Sequence, residues 1–400
     1  VGMSNTAIKL LYGMLNNLAG VACERVFVPA PDFEEEIARA GVPLYTLETG
    51  VPLHDHDIIA VSFGFELLAT NVLTILKAGH VPLRAVDRCE GDPLVILGGP
   101  GATNPLPMAP FVDGVFIGEA EGVLPSLISH MADVRKRAAP RSELVRAMRE
   151  HPSIWTPGTD QRAKRAIWSG FGDFGSTGDG SAVDTPVQTT FGAGFPVPSL
   201  SVIQDHGVVE IMRGCPQGCR FCHAGVYYRP YSMKPIDQII REVEWLVERV
   251  GYREISLSSL STGDYSDLVE LVNRLTERFS PQGVSFSLPS LRVNSVTLPI
   301  FFFFSKGKRS GLTFAVESAD AFGQALNNKM VPLERVIEIA GEARRRGWQH
   351  AKLYFMIGLP QIAGDGEHVV ARNEAEAIAE YVRNLRRAVP MEYIVNIGTF

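Results

Sequence analysis

Three of the five cysteines of this chain, Cys215, Cys219 and Cys222, fall within eight residues. A loop can present three thiols so spaced to one ligand only by bending tightly, and Gly214, Pro216 and Gly218 suit that bend. Just ahead of it, the apolar run Val208–Met212 reads as a strand that leads straight into the loop. The fold therefore has to set a ligand loop at the end of a strand. Five cysteines in 400 residues make no disulfide framework, and the crowding of three points to metal binding in a reducing, cytoplasmic setting.

Thiolates are the preferred ligands of iron–sulfur clusters. Three cysteines hold three irons of a 4Fe–4S cube and leave the fourth open to a small molecule. One alternative is a zinc site completed by His223 or His206. Structural zinc sites more often split their ligands into two separated pairs, and no second cysteine pair follows here. A ferredoxin-like carrier needs a fourth cysteine. Cys23 and Cys89 lie far upstream and read as small buried residues.

The triad sits in the second of two stretches in which strands alternate with helices. In the first, residues 1–130, strands are expected at Arg25–Val28, Ile58–Phe63, Leu94–Leu97 and Gly114–Ile117. Helices are expected at Phe33–Ala40 and Glu66–Ala78. That alternation predicts a Rossmann-like parallel sheet with helices on both faces, whose ligands bind beyond the carboxyl ends of the strands. Residues 131–205 read as a linker or loop region, with Ser169–Ser199 rich in Gly, Ser, Thr and Pro. Residues 206–400 resume the alternation. Strands are expected at Glu254–Leu257, Val284–Ser287, Leu312–Val316, Lys352–Ile357 and Ile394–Ile397, and helices at Pro235–Val250, Tyr265–Phe279, Leu333–Arg346 and Glu374–Ala388. The count suits a partial or full β/α barrel.

The loop Arg213 to His223, with spacings of three and two residues and Phe221 before the last cysteine, resembles the signature of the radical S-adenosylmethionine (SAM) superfamily. Over nearly the whole chain the sequence resembles a little-characterised bacterial family of it with an amino-terminal cobalamin-binding-like domain. The resemblance runs through Val1-Gly2-Met3-Ser4, Asp92 to Pro100, Ile117-Gly118-Glu119, Arg213 to Gly225, Tyr228-Arg229-Pro230 and Lys352 to Pro360.

The resemblance implies a 4Fe–4S cluster on Cys215, Cys219 and Cys222 that reductively cleaves SAM to a 5′-deoxyadenosyl radical. It places Phe221 beside adenine, Ser258 and Ser259 at the SAM amino group, Glu317 at ribose or carboxylate, and Ile357 and Gly358 against adenine. It further implies cobalamin near Ser62, Thr70, Gly98, Gly99 and Gly118, and a reductant such as flavodoxin or ferredoxin as partner.

Three departures stand out. The Asp-x-His-x-x-Gly motif that gives cobalt a lower histidine is absent, and Asp55-His56-Asp57 does not replace it. Val293–Phe304 ends in four phenylalanines where the family has a more polar helix. The chain stops at Thr399-Phe400, where the family continues, and opens at Val1 like a fragment.

The net charge of −6 offers no bulk field for nucleic acid, and the basic clusters near Arg135, Arg162, Lys306 and Arg344 read as solvated faces. No apolar run reaches the roughly 18–20 residues that span a bilayer. The expected activity is radical SAM chemistry, including cobalamin-dependent methyl transfer. The alternatives are a non-catalytic iron–sulfur or regulatory protein that keeps the fold, or a methylthiotransferase-like RNA-modifying enzyme. The substrate is not legible.

Overall fold

The computed structural model describes residues 2–160, 162–171, 195–200, 202–289, 293, 312–358 and 373–400. The chain divides into two compact units, one built on residues up to Gly170 and the other from His206 onward, with Phe171 joining the second.

In the first unit, strands β1 (Ile58–Ser62), β2 (Leu94–Gly98) and β3 (Gly114–Phe116) run parallel, and β4 (Ile154–Trp155) adds an antiparallel edge, in the order β1-β2-β3-β4. The helices are α1 (Thr6–Asn16), α2 (Pro31–Ala40), α3 (Ala69–Ala78), α4 (Leu124–Lys136) and α5 (Arg141–Arg149). The apolar run of β2 makes it the central strand, because both of its faces are buried. Val95 and Leu97 join Ile59, Phe63, Val72 and Leu76 on the α3 side. Leu94 and Ile96 join Leu127, Met131 and Met148 on the side of α4 and α5. Asp113, at the entry to β3, accepts from Arg88 at 2.9 Å, Arg141 at 2.5 Å and the Val95 N–H at 2.8 Å.

Two expectations change here. Arg25–Val28 is not a strand: the Arg25 N–H donates to Glu48, its carbonyl accepts from Leu47, and the segment joins no sheet ladder. Residues 131–149 are largely helical instead of linker. Their basic residues mask the stripe Leu127, Met131, Val134 and the pair Leu144 and Met148, which are buried in the core.

In the second unit, β5 (Gly207–Glu210) is followed by the short β6 (Met212–Arg213), which pairs antiparallel with β7 (Ser232–Met233) across the cysteine loop. Then come β8 (Glu254–Ser258) and β9 (Ser285–Ser287), which form a parallel sheet in the order β5-β8-β9. Strands β10 (Leu312–Glu317), β11 (His350–Ile357) and β12 (Glu392–Thr399) form a second parallel sheet in chain order.

The helices of this unit are α6 (His223–Tyr227), α7 (Ile236–Trp245), α8 (Leu268–Phe279), α9 (Ala321–Leu326), α10 (Leu333–Arg345) and α11 (Glu374–Ala388). On β11, Ala351, Leu353 and Phe355 are buried with residues of α10 and α11, while Lys352 and Tyr354 are exposed on the other face. That alternation is what a half-covered strand requires.

The Gly- and Ser-rich residues 172–194, the phenylalanine run, Lys306 to Arg309 and Leu359-Pro360 lie outside the described residues. Among the described residues, no helix is long and apolar enough to cross a membrane.

Candidate functional site

The cysteine loop is shaped by its own backbone before any ligand enters. Gly214 has φ +80°, and a Cβ there would meet the Tyr228 carbonyl oxygen at 2.3 Å, so only glycine lets the loop leave β6. The Cys222 N–H donates to the Cys219 carbonyl at 3.1 Å, and Cys222 then starts α6. All three triad cysteines are half-buried.

Restraints from two later segments hold the loop. Gln217 donates through Nε2 to both carboxylate oxygens of Asp264, at 2.9 and 3.0 Å, and Ser261 Oγ donates to the same carboxylate at 2.6 Å. Asp264 stands in the hydroxyl-rich turn behind β8, where Ser259 and Thr262 hydroxyls bond at 2.8 Å. From behind α9, Asn328 Nδ2 donates to the Gly218 carbonyl at 2.9 Å. The Arg220 N–H donates to the Asn327 carbonyl at 3.0 Å, and its guanidinium donates to the carbonyls of Ala325 and Leu326.

Glu317 closes β10 at a register shift and has φ +68°, a left-handed conformation that costs a non-glycine residue energy. Its carboxylate pairs with Lys329 at 2.8 Å, with both side chains largely buried. The Lys329 ammonium also lies 5.8 Å from the centre of the Phe221 ring. The predicted residues Phe221 and Glu317 are thus joined through Lys329, while Ser259 shares its turn with Asp264.

Ser258 ends β8, where its carbonyl accepts from Ile211 N–H at 2.9 Å. Ile357 and Gly358 end β11, and the Gly358 N–H donates to Glu374 at 2.8 Å. No described bond ties these last two to the loop. Sequence reasoning missed Gln217, Asp264, Asn328 and Lys329. The one available signal was the Asn327-Asn328 pair, since asparagine tolerates the positive φ that Asn328 adopts, +51°.

Among the described residues, no three His, Cys, Asp or Glu side chains are gathered to hold a metal ion. By chemistry, three thiols within eight residues of one loop are the donor set that iron–sulfur clusters take.

In the first unit, Ser62, Gly98, Gly99 and Gly118 lie at the carboxyl ends of β1, β2 and β3, and the exposed Thr70 lies in the first turn of α3. A Cβ on Gly99 would lie 2.8 Å from the Phe63 carbonyl oxygen, and one on Gly118 would lie 2.3 Å from that of Ala166. The chain's own packing thus accounts for both glycines, whereas Gly98 has room for a side chain. Phe65, Leu67 and Leu106, in segments that follow β1 and β2, are 50%, 75% and 69% exposed.

Residues 7–157 match the family described as radical SAM proteins, N-terminal, and residues 209–370 match the radical SAM superfamily. The chain thus carries a radical SAM N-terminal domain and a radical SAM domain. That superfamily uses a 4Fe–4S cluster and SAM.

Uncharacterized protein MJ0966 of Methanocaldococcus jannaschii is 26% identical over 347 residues, which is 86% of this chain and 67% of the relative. Uncharacterized protein MK0932 of Methanopyrus kandleri is 26% identical over 313 residues, covering 69% of this chain and 56% of the relative.

The fold is similar to that of TsrM from Kitasatospora setae, a radical SAM methyltransferase solved with a tryptophan substrate and a SAM analogue. The TM-score is 0.62 at 10% identity, over 99% of this chain and 70% of TsrM. A second TsrM structure, with cobalamin and a 4Fe–4S cluster, gives 0.61 at 10% identity over 99% and 69%.

Proposed function

We propose that this chain is a radical SAM enzyme whose Cys215, Cys219 and Cys222 hold a 4Fe–4S cluster, and that it serves methyl transfer with cobalamin as a second cofactor. The observation that carries the reading is the restraint of the cysteine loop from two other places, by Asp264 behind β8 and by Asn327 and Asn328 behind α9. Such restraint pre-positions a cofactor's ligands, and a loop that only has to turn does not need it.

When bound, the cluster supplies the electron that cleaves the SAM sulfonium. The chain's residues orient SAM and exclude water. Ser258 and Ser259 would offer hydroxyls to the SAM amino group, and Phe221, Ile357 and Gly358 would lie against adenine. Glu317 is fixed by Lys329 for ribose or carboxylate, and the strain at Glu317 is consistent with a positioned functional group.

Two three-stranded parallel sheets, each in chain order, with Lys352 and Tyr354 left open on the uncovered face of β11, support a partial β/α barrel over residues 206–400. We assign residues 1–130 to a cobalamin-binding-like domain and the stretch up to 205 to the connection between the two. The TsrM-like fold and the exposed apolar side chains of Phe65, Leu67 and Leu106 after β1 and β2 support cobalamin, with no histidine from the usual motif. A cytoplasmic flavodoxin or ferredoxin is the matching reductant.

Anaerobic reconstitution with iron, sulfide and cobalamin tests the reading. About three to four irons per chain, a corrinoid absorption band and a cleavage product of SAM are expected. The triple alanine variant of Cys215, Cys219 and Cys222 should lose iron and SAM cleavage together. Undiminished iron loading in that variant overturns the assignment.

A further inference from the structure

The stretch Ser169–Ser199 has the composition of a linker, yet Phe171 near its start is 1% exposed and packs within the second unit. We propose that Phe171 is a positioning residue that ties together the two legs of the cysteine loop through their cations. The legs are β6 and β7, whose pairs Met212–Met233 and Arg213–Ser232 close the loop that carries Cys215, Cys219 and Cys222. The Arg213 guanidinium carbon lies 4.4 Å from the centre of the Phe171 ring, and the Lys234 ammonium lies 5.0 Å from it. One cation comes from each leg, and both stand within the roughly 6 Å over which the negative face of a ring attracts a cation.

The carboxylates that meet these cations do not bridge the legs. Arg213 donates to Glu210 at 2.7 and 3.2 Å, but Glu210 ends β5, on Arg213's own side of the loop. Lys234 donates to Glu242 at 2.8 Å, which ties β7 to α7. The ladder itself is short: two residue pairs, and a bond from the Lys234 N–H to the Ile211 carbonyl at 2.9 Å. So short a strand pair is marginal unaided. Its β7 end is anchored where the Lys234 carbonyl accepts from the Tyr265 hydroxyl at 2.7 Å. The Phe171 ring adds a tie from that anchored leg to the other. Both cations are largely buried, with side chains 13% and 3% exposed, so water competes little for them and the ring's pull is strong.

Arg213 stands two residues before Cys215, so any shift of the β6 leg is passed to the first thiol of the triad. Asp264 and Asn328 hold the middle of the loop, at Gln217 and Gly218, and Phe171 holds its base. The role of the tie in cofactor assembly rests on the assignment of the triad as cluster ligands. A rigid ring between the legs sets their separation before a cluster forms, which is how a ligand loop is pre-organised.

Fluorinated phenylalanines at position 171 test the tie, since one, two and three fluorines weaken the negative face stepwise and change the size of the ring little. Hydrogen exchange on the apo chain reads the ladder. Exchange of the Arg213, Ser232 and Lys234 amides should quicken with each fluorine, to roughly fivefold at three. Phe171→Leu, which keeps apolar bulk without a ring face, should quicken it at least as much. In an Arg213→Met background the series should be shallower. In the reconstituted chain, iron should pass to a ferrous chelator faster in the same order.

A series that is flat in fluorine, with only Phe171→Leu affected, overturns the proposal, because Phe171 then merely fills space. Faster exchange with unchanged iron release overturns it as well, because the tie then does not reach the thiols. A wild-type chain that takes up no iron refutes the cluster assignment instead, and the exchange series alone then decides for or against the tie.

Discussion

The side-chain amide of Asn328 donates to the carbonyl of Gly218 at 2.9 Å, so the turn behind α9 holds the middle of the cysteine loop. Asn328 has φ +51°, which asparagine accepts more readily than alanine does. Asn328→Ala loses the bond and strains the backbone, together about 1–2 kcal/mol. Asn328→Gly loses only the bond, and Asn328→Asp sets a carboxylate against a carbonyl. Iron content after reconstitution at limiting iron should fall least for Gly, more for Ala and most for Asp. Equal iron content in all three would show that the turn does not govern the loop.

A second restraint lies beneath the loop. Lys234, just after β7, donates from Nζ to both carboxylate oxygens of Glu242 on α7, each at 2.8 Å, and the two side chains are 3% and 1% exposed. Burial pushes the Glu242 carboxyl above its usual range, and Lys234 pulls it back. A carboxyl raised in the fold contributes stability below its ordinary range and loses it as pH climbs through the raised value.

Lys234→Met removes the opposing pull. It should cost about 3–5 kcal/mol near neutral pH and less in acid, where Glu242 is protonated. The double variant Lys234→Met with Glu242→Leu should recover most of the loss. Urea unfolding of the apo chain at two pH values measures all of this.

The split between what the sequence shows and what it hides follows from where each residue's partners lie. Leu94–Leu97 reads as a strand because both faces of β2 are buried, and Glu374–Ala388 reads as a helix because one stripe is apolar. The triad is legible because crowded thiols have few other uses. Asn328 and Lys329 were invisible because Gly218 and Phe221 stand more than a hundred residues upstream, and Asn-Asn-Lys alone looks like any turn. Arg25–Val28 has strand-like composition, but composition cannot say whether a neighbour is there to pair with it.

Asp113 carries the first unit's largest buried charge arrangement. It accepts from Arg88, whose side chain is fully buried, and from Arg141 and the Val95 N–H. Burial lowers the Arg88 pKa, and Asp113 opposes that shift. Asp113→Ala leaves a buried guanidinium without its counter-charge and should cost about 3–5 kcal/mol, enough to unfold many domains. Asp113→Asn, which keeps an acceptor oxygen, should cost less. Limited proteolysis should cut within residues 2–160 of the alanine variant first, and an unchanged digest would rule the arrangement out as a main support.

Cys23 gives a test of the packing behind α1 that needs no variant. Its thiol is pushed up to about 11, chiefly by burial and then by the neighbouring Glu48 carboxylate. Because the raised value belongs to the fold, the associated stability is present below 9.0, the ordinary thiol value, and is lost as pH rises toward 11. The thiolate is the species that is alkylated, so at pH 8 Cys23 should react with iodoacetamide roughly a hundredfold more slowly than an ordinary thiol. Its rate should climb about tenfold per pH unit until the thiol titrates. The exposed Cys89 should be modified first. Peptide mass spectrometry over a pH series separates the two, and equal early labelling of Cys23 and Cys89 would show that Cys23 is open to water.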